Sequence, residues 1–431
     1  MNKNIFGTDG IRGTFGSSLT ERTAFLLGKS LALLSDCCIV VVARDTRLSG
    51  ERLFRALSQG VYDGGGNVIN LGVMPTNAVG HFVRKLGGDF GVMITASHNP
   101  PQDNGLKVFD KYGVKLCTSK QKAVSRVMNS LRVDDIQSNR LFEPVFYDID
   151  NIYAEDILRL VDVHLDKVSV ALDCCFGASY KVAPIIFERA GATVTAYNNS
   201  ANGKEINQGC GANNPQFLAN KLAEDPADLA FAFDGDADRL TVFERGKLLP
   251  NNAVFYAFAK YFEQTSKLHN HTVCGTTLTN GGVESCLNKL GITLARSDVG
   301  DTNVFAKMVQ NAIAFGGEES GHYLLGEYAT SSDAIINALV LCKIRQQMGS
   351  LFAYTKELRE IPCIMRTIPI TQVNQSLATD IALTATTSRI NSLYNCRVVL
   401  RKSGTENAIR AYVEGEDIEP AMDNIIATFG G

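Results

Sequence analysis

Four short stretches of the chain concentrate side chains able to do chemistry, and their residue types are complementary. The first is Thr95-Ala96-Ser97-His98-Asn99-Pro100, directly after an apolar run ending at Ile94. Small residues at a strand end, followed by a pre-proline stop, expose Ser97 at the carboxyl edge of a sheet, where α/β proteins bind ligands. Ser97 then reads as a nucleophile and His98 as an acid or base. A polar turn in which Ser97 caps the next element is the alternative. Lys107, in the nearby Asp103-Asn104-Gly105-Leu106-Lys107, could add positive charge, although alone it reads as a solvated lysine.

The second stretch, Asp234-Gly235-Asp236-Ala237-Asp238-Arg239, follows the apolar residues 229–233. Carboxylates at alternate positions of an extended loop project to one side and repel each other, so a divalent cation is their natural partner. Oxygen-only ligands suit Mg2+. A calcium-binding helix-loop-helix begins similarly, but its sixth and twelfth positions need Gly and Glu, and here they hold Arg239 and Arg245. A solvated acidic turn is the competing explanation.

The third stretch is Gly317-Glu318-Glu319-Ser320-Gly321-His322. Glu318, Ser320 and His322 make a neutral-to-acidic hydrogen-bonding loop suited to sugar hydroxyls or an amine, not to phosphate; a helix-capping turn is equally compatible. The fourth is Arg401-Lys402-Ser403-Gly404-Thr405-Glu406-Asn407. Arg401, Ser403 and Thr405, with Gly404 letting backbone N–H groups converge, describe a phosphate cradle, or else a basic hairpin turn. A weaker fifth element, Phe6-Gly7-Thr8-Asp9-Gly10-Ile11-Arg12-Gly13, surrounds Arg12 with glycines. A phosphorylatable serine, a cation site, a hydroxyl reader and a phosphate cradle together imply phosphoryl transfer on a phosphorylated sugar.

The elements that must carry these loops alternate. Apolar, β-branched runs at 39–43, 67–71 and 90–95 are separated by helix-period segments at 52–62 and 77–86. The rhythm restarts with strands at 168–172, 193–197 and 229–233 around a helix at 181–190. It restarts again with strands at 273–276, 292–295 and 312–315 and helices at 283–290 and 302–309. After about residue 362 it changes to strands at 364–370, 397–400 and 408–414 with helical runs between and after. The expectation is an α/β protein of four domains, 1–150, 151–248, 249–362 and a small α+β unit 363–431, each supplying one loop. The three α/β sets repeat in rhythm only.

Composition bounds the partners. Lys plus Arg number 42 and Asp plus Glu 45, so no global positive field recruits nucleic acid or an acidic membrane. A 45% hydrophobic, 20% charged chain is that of a globular protein with a core. The start, MNKNIFGTDGIRG, lacks the apolar stretch of a secretory signal, and no segment has the run of apolar residues that a spanning helix needs; a cytoplasmic protein is expected. The 11 cysteines form no Cys-x-x-Cys and fit reduced, mostly buried thiols. Gly28-Lys29-Ser30 resembles the end of a P-loop, but Thr23 stands where its first Gly is needed, and no Gly-x-Gly-x-x-Gly follows a strand.

TASHNP, DGDADR, GEESGH and RKSGTEN, in this order, resemble the signature loops of the α-D-phosphohexomutase superfamily across the whole chain. FGTDGIRG, the stretch Ile206-Asn207-Gln208-Gly209-Cys210-Gly211-Ala212 and the Val299-Gly300-Asp301 turn resemble its amino-sugar branch most closely. The resemblance implies three related α/β/α domains with mixed sheets and a smaller, mobile C-terminal α+β domain around a central cleft. It implies interconversion of glucosamine 6-phosphate and glucosamine 1-phosphate, which supplies UDP-N-acetylglucosamine for envelope polymers. A phosphoglucomutase or phosphomannomutase is the alternative, and a noncatalytic phosphosugar-binding protein a more distant one.

Carried onto this chain, the resemblance makes Ser97 the phosphoserine, with Asp234, Asp236 and Asp238 holding one Mg2+ against its phosphate. Glu318 and Ser320, with His322 beside them, would bind sugar hydroxyls. Arg401, Ser403, Gly404 and Thr405 would hold the non-reacting phosphate, and Arg12, His98, Lys107 and Arg239 would support charge and proton movement. A sugar 1,6-bisphosphate serves as intermediate or activator, the partner is a small phosphosugar, and the protein is a monomer or homodimer. Glu319 stands where the amino-sugar branch usually has Gln or Asn, Thr302 where Arg often follows Val-Gly-Asp, and Asn407 where Pro is common. Ala237 in place of Gly looks harmless. These departures bear on substrate preference.

Overall fold

In the computed structural model, which describes residues 5–7, 9–131, 148–372, 374–403 and 407–429, the apolar runs become the parallel centres of successive sheets. The amino-terminal unit comprises β1 (Ile11–Thr14), α1 (Glu21–Ala32), β2 (Ile39–Arg44), α2 (Gly50–Asp63), β3 (Asn67–Val73), α3 (Thr76–Leu86), β4 (Phe90–Ile94), β5 (Asp103–Asp110) and α4 (Thr118–Ser130). The second has α5 (Ile149–Val161), β6 (Ser169–Asp173), α6 (Val182–Arg189), β7 (Thr193–Tyr197), α7 (Gln216–Glu224), β8 (Leu229–Phe233), β9 (Leu240–Glu244) and β10 (Lys247–Leu249). The third has α8 (Asn251–Gln264), β11 (Thr272–Thr276), α9 (Gly281–Lys289), β12 (Thr293–Ser297), α10 (Asp301–Gln310), β13 (Phe315–Gly317), β14 (Tyr323–Leu325), α11 (Ala334–Met348) and α12 (Leu351–Tyr354). The last is β15 (Cys363–Pro369), α13 (Asp380–Leu393), β16 (Cys396–Lys402), β17 (Ala408–Gly415) and α14 (Ile418–Phe429).

Sheet orders are β1-β5-β4-β2-β3, β10-β9-β8-β6-β7, β12-β11-β13-β14 and β15-β17-β16. The first three share one four-strand plan. A central strand pairs in parallel with two neighbours, β2 with β3 and β4, β6 with β7 and β8, β11 with β12 and β13. The later of those neighbours then turns back into an antiparallel strand, β4 to β5, β8 to β9 and β13 to β14. The repetition is therefore topological, not rhythmic alone. The Ser97, Asp234 and Glu318 stretches are the equivalent hairpin loops of the three repeats.

Two sequence expectations change. Residues 103–110, which hold the lysine read as solvated, form β5, and this puts Lys107 inside the molecule. The run at 312–315 is mostly the C-terminal turn of α10: Ala312 adopts φ 51°, the Ile313 N–H donates to Met308 O at 2.8 Å, and β13 starts only at Phe315.

One apolar core runs without a break through the first three units, joining Phe82, Tyr153, Phe231 and Phe258, whereas the C-terminal unit has its own around Ile390, Ile409 and Ile425. The long α11 is buried along most of its length, which explains its weak amphipathic pattern. Its N-cap, Asp333, accepts from Ile335 and Ile336 N–H and also from Asn77 and Tyr153, so a single carboxylate ties three units. The C-terminal unit docks on the third by polar contacts. Arg397 donates to Thr277 O (2.6 Å) and Thr279 O (3.1 Å), and Glu414 accepts from the Gly281 N–H (3.0 Å). Seven of the eleven cysteines are buried, and among the described residues no helix is long and apolar enough to cross a membrane.

Candidate active site

Ser97 sits at the turn after β4 with φ 53°, the left-handed region that a serine occupies only when its surroundings hold it there. They do. Arg47, fully buried beside Asp45, donates to the carbonyls of Ser97, Asn99, Pro100 and Asp103, and Asn207 adds bonds to Ser97 O (2.8 Å) and Asn99 O (3.1 Å). The serine was expected to be exposed; it is 2% exposed, because the acidic loop of the second unit packs over it. Its Oγ lies 2.8 Å from Asp234 Oδ2 and 3.3 Å from His98 Nδ1. Burial, reinforced by Arg239 and Arg12, pushes the His98 pKa down to about 4, so the ring is neutral.

The acidic loop is a tight turn, not the extended segment its alternation suggested. The Ala237 N–H donates to Asp234 O, Ala237 takes φ 57°, and Asp234 Oδ1 accepts from the N–H groups of Asp238 and Arg239. Ala237 therefore carries a left-handed backbone that favours glycine, and the substitution is not neutral for the backbone. Gly235 is required by close approach: a Cβ there would lie 2.6 Å from Ser97 O. One carboxylate oxygen from each of Asp234, Asp236 and Asp238 falls within 4.8 Å of the others, all three residues buried. Burial and the two neighbouring aspartates push Asp234 up to about 8.

Lys107 reaches into this cluster from β5. It is 1% exposed, and its Nζ lies 2.6 Å from Asp236 Oδ2, 2.8 Å from Asp238 Oδ2 and 3.3 Å from Asp9. The solvated alternative for this lysine is thereby overturned. Burial opposes its charge, but Asp236, Asp238 and Asp9 outweigh it and hold its pKa well above the ordinary value.

The third loop closes against the second. A Cβ on Gly321 would lie 2.4 Å from Leu240 O, and the Leu240 N–H donates to Gly321 O at 3.0 Å. His322 is buried with Nε2 3.7 Å from both Asp238 and Asp301; burial opposes its charge, yet Asp238 and Asp301 raise its pKa. Glu318 accepts from the Gly300 N–H at 2.8 Å, and Ser320 is exposed. On the C-terminal unit, Arg401 and Lys402 end β16, and the Ser403 N–H donates to Ala408 O. Gly404 and Thr405 lie outside the described residues. Burial and Arg410 lower the Arg401 pKa, while Glu318 and Glu319 of the third loop act in the opposite sense.

Three family models match in series: phosphoglucomutase/phosphomannomutase α/β/α domain I over residues 3–133, domain II over 149–247 and domain III over 250–361. A phosphoglucosamine mutase of Caldanaerobacter subterraneus is 36% identical over 96% of this chain and 95% of its own length. One from Thermotoga petrophila is 37% identical over 97% and 96%. The chain belongs to the phosphoglucosamine mutase family. It is thus a member of the phosphohexomutase superfamily, an isomerase. In fold it is similar to a phosphoglucomutase/phosphomannomutase family protein of Burkholderia thailandensis (TM-score 0.79, 21% identity, 99% and 96% of the two chains). It is also similar to Aspergillus fumigatus N-acetylphosphoglucosamine mutase in complex with GlcNAc-6P and magnesium (TM-score 0.64, 18% identity, 82% and 91%).

The donor set fits a cation. Asp236 Oδ1 and Asp238 Oδ1 are buried without a hydrogen-bond partner among the described residues, an expensive state for carboxylate oxygens unless something positive faces them. Sequence reasoning missed Arg47, which pairs with Asp45 and donates to four backbone carbonyls. It also missed Asp9 and Lys115 of the first unit and Asp301 of the third, which converge on the site. Glu319, the departure that raised doubt about substrate, turns inward: it accepts from Thr276 Oγ1 (2.9 and 3.1 Å) and Thr279 Oγ1 (2.8 Å). Its carboxylate braces the third unit.

Proposed function

We propose that this member of the family interconverts glucosamine 6-phosphate and glucosamine 1-phosphate through phosphorylated Ser97 and a glucosamine 1,6-bisphosphate intermediate, feeding UDP-N-acetylglucosamine synthesis. The observation that carries the reading is the contact between Ser97 Oγ and Asp234 inside a buried aspartate triad. Similarity to phosphoglucosamine mutases along nearly the whole chain supports the amino-sugar substrate, and the bonds of Glu319 to Thr276 and Thr279 give that residue a role within the third unit.

Asp234, Asp236 and Asp238 would hold Mg2+ with an oxygen on Ser97, and the ion when bound neutralises charge on the transferring phosphoryl group. The substrate hydroxyl attacks phosphorus, a new O–P bond forms as the Ser97 Oγ–P bond breaks, and the hydroxyl proton passes to a neighbouring base. Arg12, His98, Lys107 and Arg239 surround that end. Glu318 and Ser320 bind sugar hydroxyls, with His322 behind them, and Arg401, Ser403, Gly404 and Thr405 hold the distal phosphate. The bisphosphate then turns end for end and returns its other phosphoryl group to Ser97. One cradle must accept either phosphate, which suits a separate C-terminal unit.

We divide the chain into four domains near residues 150, 248 and 362. A cytoplasmic monomer or homodimer accords with this function. The deciding experiment is competition kinetics among glucosamine, glucose and mannose 6-phosphates with Mg2+. Preference for glucosamine is expected; efficient turnover of glucose or mannose phosphate with none of glucosamine phosphate would reject the assignment.

A further inference from the structure

Lys115 follows β5, in a return that bridges Phe109 to Lys115, and its sequence context, Asp110-Lys111-Tyr112-Gly113-Val114-Lys115, reads as an ordinary turn. Yet its side chain is 12% exposed and bonded at both sides to carboxylates: Nζ lies 2.7 Å from Asp9 Oδ1 and hydrogen-bonds Asp301 Oδ2. Asp9 belongs to the amino-terminal unit and Asp301 begins α10 of the third, 186 residues away from Lys115 in sequence.

These contacts close a ring in which acidic and basic side chains alternate. Lys107 meets Asp9, Asp9 meets Lys115, Lys115 meets Asp301, Asp301 faces His322, His322 faces Asp238, and Asp238 returns to Lys107. Loss of the Lys115 charge leaves the Asp9 and Asp301 carboxylates with no cation between them. The ring also has a mechanical consequence. Asp301 follows Gly300, whose N–H donates to Glu318 Oε1, so the position of Asp301 is passed directly to Glu318. Lys115 is the only member that joins the first unit to this turn, and it touches none of the three clustered aspartates among the described contacts.

We propose that Lys115 is a positioning residue: by bridging Asp9 to Asp301 it fixes the separation between the phosphoserine loop and the sugar-binding Glu318. The inference rests on the roles given above to Ser97 and Glu318. A register error near an ångström between reacting groups costs on the order of 100-fold in rate, enough to distinguish positioning from a surface ion pair.

The test compares Lys115→Met, Lys115→Arg, Asp301→Asn and the Lys115→Met/Asp301→Asn double variant in the full-length, Mg2+-loaded enzyme. Kcat and KM are measured for glucosamine 6-phosphate, together with the sugar-independent hydrolysis of phosphorylated Ser97 and the circular-dichroism melt. Lys115→Met should lose about 10- to 100-fold in kcat/KM while the sugar-independent hydrolysis stays within about threefold. Lys115→Arg should recover most of the loss, and the double variant should be no worse than the more impaired single variant, because both remove one bridge. Turnover by Lys115→Met within about twofold of the parent, equal losses in the sugar-independent reaction, or additive losses in the double variant would overturn the proposal. If Lys115→Met does not fold, the near-isosteric Asp301→Asn and charge-retaining Lys115→Arg carry the same comparison. Glu318→Gln separates the premises: an unchanged KM there rejects Glu318 as the sugar contact, whatever the Lys115 variants show.

Discussion

Replacing Arg47 by methionine removes the side chain that holds the Ser97 loop in its left-handed turn. Its Nε bonds Asp45 at 2.9 Å, Nη2 bonds Ser97 O and Asn99 O at 2.8 Å each, and Nη1 bonds Asp103 O at 2.9 Å and also Pro100 O. The carbonyls are not all orphaned. Asn207 still serves Ser97 and Asn99, and the Asp103 N–H still serves Pro100, so their loss is nearer the net value of a hydrogen bond, about 0.5–1 kcal/mol each. Breaking the buried pair with Asp45 adds about 3–5 kcal/mol, reduced because burial already raises the Asp45 pKa and the carboxyl can neutralise itself. The sum is about 5 kcal/mol, comparable with the whole stability of a small domain. Urea unfolding followed by circular dichroism should show the unfolding midpoint fall sharply, with turnover lost in parallel. A change below about 2 kcal/mol with intact turnover would refute the view that Arg47 holds the nucleophile loop.

Glu319→Gln should cost about 1–2 kcal/mol in thermal or urea stability, because an amide keeps only part of the bonding to Thr276 and Thr279, and should leave the ratio of kcat/KM values for glucosamine and glucose phosphates unchanged. A shift of that ratio would return Glu319 to the binding site. Mg2+ at 100 times its Kd should stabilise the protein by about 2.7 kcal/mol, read as a chelator-reversible rise in melting temperature that Asp236→Asn reduces. An identical melt with and without Mg2+ would count against the aspartate triad as its site.

Much of this was readable locally, and the failures share one cause. The strand at 229–233 falls where its apolar run lies, because continuous burial on both sheet faces leaves an unbroken hydrophobic signal. The acidic and Ser97 loops were legible because each follows such a run. Lys107 was not, since its β5 segment, DNGLKVFD, mixes polar residues into the strand and its burial depends on Asp236 and Asp238 from another unit. Ser97 was read as exposed for the same reason: what covers it is 137 residues away in sequence. Arg47 answers to carbonyls, which carry no sequence signature, and the equivalence of the three hairpin loops is a matter of strand order.

Phosphoryl occupancy of Ser97 tests the central claim most directly. Enzyme treated with a hexose 1,6-bisphosphate should gain the mass of one phosphoryl group, localised to Ser97 by peptide mapping. Excess glucosamine 6-phosphate should then remove that group with formation of a bisphosphorylated amino sugar. Ser97→Ala should acquire none and turn nothing over. Full turnover by Ser97→Ala, or a phosphoryl group on Ser97 that glucosamine 6-phosphate never removes, would contradict the account.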